Sequence, residues 1–121
     1  FYTVVKRFST KEEKRRIKAN IVDPKMFGNQ PLLGFENHIN VFHNGKKGLE
    51  EELALGLFVY LNTTAVDEYF RRFNGHTQVN ATDLRSIKYP SRKSLMNLGV
   101  WVKKQEQITQ DLIDNNWEKI I

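Results

Sequence analysis

Cysteine is absent from the 121-residue chain. That excludes disulfides and cysteine-based metal sites, and it permits a reducing compartment without requiring one. Long apolar runs are also missing. The longest covers residues 53–61, far short of the roughly 20 residues that span a bilayer. A covalent catalyst here would have to use Ser, Thr, Asp, Glu or Lys, yet no Gly-x-Ser-x-Gly elbow, phosphate loop or Gly-x-Gly-x-x-Gly fingerprint occurs. Histidine is limited to His38, His43 and His76, and with Glu36 they match no His-Glu-x-x-His spacing. No catalytic residue, metal site or bound cofactor is therefore assigned to the chain. No signal-peptide pattern is visible, and the opening at Phe1 instead of Met reads as that of an excised fragment.

What is present is a moderate core, with 40% hydrophobic and 12% aromatic residues, enough for one small folded unit. The net charge of +5 is unevenly placed. Residues 1–20 hold seven basic and two acidic side chains, and beyond them twelve of each sign cancel. A concentrated basic segment suits a polyanion such as a nucleic-acid backbone; a solvated hairpin that happens to be basic is the plainer alternative.

Residues 1–8 are rich in β-branched and aromatic types and read as a strand. Residues 16–21 alternate with period two, placing Ile17, Ala19 and Ile21 on one face and Arg16, Lys18 and Asn20 on the other. The two segments predict a β-hairpin with a basic outer face to which Lys6 or Arg7 adds. A proline-containing loop follows, then a strand over 34–42 that carries Glu36, Asn37, His38 and Asn40. Helical spacing predicts a helix over 49–61, ended by Asn62, and a second from an N-cap at Thr64 to Phe73. A polar segment leads to a short strand over 85–89, a helix over 91–98 stopped by Gly99, and a closing helix over 105–121. The class is α+β: an N-terminal hairpin, a further strand or two, and three to four helices.

The segment 71–80, Arg-Arg-Phe-Asn-Gly-His-Thr-Gln-Val-Asn, follows a helix directly. Guanidinium groups suit phosphates, and Asn and Gln can make paired hydrogen bonds to adenine in the major groove. The same Asn, Thr and Asp residues also cap helices and tie off turns, so both readings stay open.

The run from Gly56-Leu57 through Leu61-Asn62-Thr63-Thr64-Ala65-Val66-Asp67-Glu68-Tyr69-Phe70, then Asn74-Gly75-His76-Thr77-Gln78-Val79-Asn80-Ala81-Thr82-Asp83-Leu84-Arg85-Ser86-Ile87 and Tyr89-Pro90-Ser91, resembles the C-terminal region of certain bacterial adenine-specific DNA methyltransferases of type II restriction-modification systems. Lys6-Arg7-Phe8-Ser9, the segment 11–16 and Glu36-Asn37-His38-Ile39-Asn40 resemble further pieces of it. The resemblance implies that residues 1–121 form one DNA target recognition domain of a bacterial cytoplasmic enzyme. It also implies an upstream domain that binds S-adenosylmethionine and methylates adenine, since the Asn-Pro-Pro-Tyr type of motif is absent here. Double-stranded DNA and that catalytic domain are the partners implied.

On this reading Lys6, Arg7, Arg15, Arg16, Lys18, Arg71 and Arg72 bind phosphates. Asn37, His38, Asn40, His76, Thr77, Gln78 and Asn80 either read bases or form a polar network that holds the scaffold. The alternative reading is a protein-interaction module that docks on a catalytic or specificity subunit through the last helix, with Trp101 or Trp117 exposed.

Overall fold

The computed structural model describes residues 1–6, 17–23, 39–45, 47–73 and 79–121. Strand β1 (Tyr2–Lys6) lies between β2 (Ala19–Val22) and β3 (Ile39–Phe42), antiparallel to both. Val5 pairs with Ala19 on one side and with Asn40 on the other. Because side chains alternate across a strand, Thr3, Val5, Ala19, Asn40 and Phe42 share one face of the sheet. That face meets the helices: Val5 is fully buried, and the Thr3 hydroxyl donates to the Ala54 carbonyl at 2.7 Å.

Five helices follow: α1 (Glu51–Leu61), α2 (Thr64–Phe73), α3 (Ala81–Arg85), α4 (Arg92–Lys103) and α5 (Gln110–Ile120). Together with the three-stranded sheet they make an α+β fold, with one more helix than sequence patterning predicts. Helix α1 is its centre. Ala54, Gly56, Leu57, Val59 and Leu61 are buried, and its other residues are half-buried. A helix covered all round in this way needs neighbours on several sides. It packs against the sheet, α2, α4 and α5.

The fit of α1 to α4 is unusually close. A Cβ at Gly56 would fall 1.9 Å from the Leu95 carbonyl oxygen, and one at Gly99 would fall 1.9 Å from the Glu52 carbonyl oxygen. Gly99 therefore does not stop a helix, as its low propensity suggests. It lies inside α4 because only hydrogen fits where the two backbones meet.

Three other boundaries differ from expectation. Thr63 caps α2, one residue earlier than Thr64, with its hydroxyl accepting from Val66 N–H at 3.2 Å. Thr64 instead binds α5: its N–H and hydroxyl donate to the two Asp114 carboxylate oxygens at 2.8 and 2.6 Å. Residues 85–89 do not form a strand. Arg85 ends α3, and the chain turns with Ile87 buried and the Ser86 hydroxyl donating to the Asp83 carbonyl. The closing helix begins at Gln110, capped by Thr109, whose hydroxyl accepts from Leu112 N–H at 3.1 Å.

At the outer edge of β2, Asn62 acts as a surrogate strand. Its side chain accepts from Ala19 N–H at 3.1 Å and donates to the Ala19 carbonyl at 3.0 Å.

Candidate nucleic-acid interface

The hairpin reading of the N-terminal segments holds for the described residues. Lys6 N–H donates to the Lys18 carbonyl at 3.3 Å, and both lysine side chains are exposed on the face opposite Val5 and Ala19. Two adjacent strands thus place these cations side by side on the sheet's outer face. Arg7, Arg15 and Arg16 lie outside the described residues, as do Asn37, His38, His76, Thr77 and Gln78.

Arg71 and Arg72 occupy the last turn of α2, where a positive charge also complements the helix dipole. They differ in commitment. The Arg71 Nε donates to the Asp67 carboxylate at 2.9 Å, and that carboxylate also accepts from Ile17 N–H at 3.4 Å. Arg71 therefore helps tie α2 to the chain entering β2. Arg72 is exposed.

Asn40 and Asn80 both serve the scaffold. Asn40 Nδ2 donates to the Val79 carbonyl at 2.6 Å, joining β3 to the segment that enters α3. Asn80 occupies the N-cap of α3, and its own N–H donates to the Asp83 carboxylate at 2.9 Å. The reciprocal limb of this capping box, from Asp83 N–H to Asn80 Oδ1, falls short of hydrogen-bond geometry, and Oδ1 is enclosed without a partner. The fully buried Val79 between the two asparagines fixes the segment in the core.

The chain from α3 to α4 carries a signal that charge totals conceal. Between Leu84 and Gln105 there are Arg85, Lys88, Arg92, Lys93, Lys103 and Lys104, and no carboxylate. Arg92 pairs with Glu50, and Lys103 pairs with Glu51 and Glu52. A hydrogen bond from its own backbone N–H, and after it the Lys103 contact, hold the Glu52 carboxyl below its usual value, while the bonds to Glu52 and Glu51 hold Lys103 above its own. Arg85 and Lys88 are exposed and, among the described residues, make no ion pair.

A cleft opens beside Arg85. It has a volume of about 340 Å³ and lies between β3, which supplies Asn40 and Phe42 with His43 just beyond its end, and α3 with Tyr89. The Phe42 and Tyr89 rings meet edge to face with centroids 6.3 Å apart. The Tyr89 hydroxyl donates to the Leu84 carbonyl at 2.8 Å, and burial pushes its pKa well above the ordinary tyrosine value. This phenol is a neutral structural donor at physiological pH, not a proton shuttle.

The docking alternative requires an exposed tryptophan. Trp101 and Trp117 are instead half-buried against the core, and Trp117 meets the Tyr60 ring at 5.6 Å. Among the described residues no helix is long and apolar enough to cross a membrane.

The chain is similar to two curated proteins. It is 55% identical over 121 residues, 99% of its length, to the Type II methyltransferase M.BsuBI of Bacillus subtilis. It is 52% identical over 97 residues, 80% of its length, to the Type II methyltransferase M.PstI of Providencia stuartii. These matches cover 24% and 19% of the relatives' own lengths. No family model and no solved structure matches. The chain is thus closely related to a minor portion of Type II methyltransferases.

Proposed function

We propose that this chain is a DNA target recognition unit of an adenine-specific methyltransferase of a restriction-modification system. The observation that carries this reading is the likeness of nearly the whole chain to a fraction of two Type II methyltransferases, in a stretch that lacks a methyltransferase catalytic motif. Binding of S-adenosylmethionine and methyl transfer belong, on this reading, to another segment of the whole enzyme. The residues here grip and select the duplex.

Affinity comes from cations. Lys6 and Lys18 stand on the outer face of the sheet, Arg7, Arg15 and Arg16 belong to the connection between them in sequence, and Arg71 and Arg72 end α2. Such contacts release counterions and carry no sequence information. Base selection falls to Asn37, His38, His76, Thr77 and Gln78. Asn40 and Asn80 are held by the hydrogen bonds described above.

Fluorescence anisotropy of a labelled duplex, titrated with the chain across a salt series, tests the reading. The expected result is binding that weakens steeply with salt. The double variant Arg15→Glu/Arg16→Glu should flatten the log–log salt slope by about 2. Absence of binding at low ionic strength, with the circular dichroism of a folded chain, overturns DNA binding by this unit.

A further inference from the structure

We infer that the cleft between β3 and α3 is a second DNA contact, which seats one nucleotide of the duplex backbone with its phosphate on Arg85. The inference rests on the DNA-binding reading above and extends it to a surface remote in sequence from the basic N-terminal segment.

The geometry supplies the parts that such a contact requires. The cleft's volume of about 340 Å³ is at the small end of ligand sites, the scale of a single nucleotide unit. Its floor is aromatic, with Phe42 and Tyr89 offering apolar surface to a sugar or base. Arg85 lines the cleft, is exposed and has no ion-pair partner among the described residues, so its planar guanidinium faces solvent where a phosphate can reach it. The neighbouring carboxylate, Asp83, is engaged in the cap of α3 through Asn80 N–H.

Charge favours an anionic occupant. The chain from Arg85 to Lys104 contains cations and no carboxylate, and Lys88, with no ion pair among the described residues, adds a second positive charge three residues from Arg85. His43 stands exposed on the β3 side of the cleft. The cleft is also built rather than incidental. The Asn40–Val79 and Tyr89–Leu84 hydrogen bonds hold the β3 and α3 sides in place.

Two measurements on the 121-residue chain test this. In duplex anisotropy at low salt, Arg85→Glu should weaken binding about tenfold or more. Lys119→Glu, at an exposed lysine of α5 outside the cleft, should change it by no more than about twofold. In nuclear magnetic resonance titrations with the same duplex, amide signals of Val41–His43 and of Ala81–Arg85 should shift together. If Arg85→Glu behaves as Lys119→Glu does, or neither side of the cleft shifts while the chain still binds, the cleft assignment is wrong and the DNA reading stands. If the unmodified chain binds no duplex, the DNA reading itself fails, and the cleft assignment with it.

Discussion

Gly56 and Gly99 complete the same helix crossing from opposite sides, and a methyl carbon on either would lie 1.9 Å from a carbonyl oxygen of the other helix. In an exposed helix, glycine costs about 1 kcal/mol relative to alanine. Here the order should reverse, since neither Leu95 nor Glu52 can move its carbonyl without moving its helix. Gly56→Ala and Gly99→Ala are each expected to lose about 1–3 kcal/mol by urea unfolding. The double variant should lose less than the sum, because both relieve strain through the same shift. A rise in stability for either single variant would contradict the packing.

Asp114 joins the closing helix to the start of α2, accepting from both Thr64 groups and from Gln110 Nε2 at 3.1 Å. Asp114→Ala removes the Asp114 acceptors of the part-buried Thr64 hydroxyl and N–H, at a cost of about 1–3 kcal/mol. Thermal unfolding checks this. A midpoint equal to that of the parent would show that α5 contributes little through this contact.

Alkaline pH should loosen the fold through two phenols. Burial raises the pKa of Tyr60 and of Tyr89 above the ordinary 10.0, and each hydroxyl donates to a backbone carbonyl, of Lys88 and Leu84 respectively. The folded state therefore favours the neutral form. The stability this confers is full below pH 10.0 and is lost as pH rises through the higher folded values. Urea unfolding at about pH 8 and about pH 11 should show a fall, accompanied by late tyrosinate absorbance. Equal stability at both would rule out a contribution from these groups.

Asn62 makes a third hydrogen bond besides its two to Ala19, donating to the Phe58 carbonyl at 2.8 Å. Asn62→Ala should lose about 1–3 kcal/mol. Asn62→Asp should fare no better, because a carboxylate cannot donate to the Ala19 carbonyl. Parent-like stability of the aspartate variant would show that the donor half of the contact is dispensable.

Much of this architecture is legible in residue patterns. The alternation of Ile17, Ala19 and Ile21 identifies β2 and its face, and the Leu and Phe spacing identifies α1 and α2. Misreadings occur where tertiary contact overrides local preference. Gly99 has the propensity of a helix stop but serves a close crossing. Ile87 and Tyr89 have strand propensity, yet the core captures Ile87 after a turn. Thr63 and Thr64 are equivalent caps by type, and Asp114, fifty residues away, decides between them.

The candidate site was harder to read. Asn40 and Asn80 have base-reading chemistry, and their structural partners come from strand register and helix capping, which one sequence does not display. Arg85 and Lys88 were hidden by summing charge over a hundred residues, whereas a local count from 84 to 105 reveals them.

Asn62 also bears on how copies of this chain behave in a crowded solution. A sheet's outer strand ordinarily presents open backbone groups that recruit further strands. At Ala19 both groups are already taken by one amide side chain. One asparagine thereby occupies the place on this edge where the backbone of a neighbouring strand would otherwise pair with Ala19.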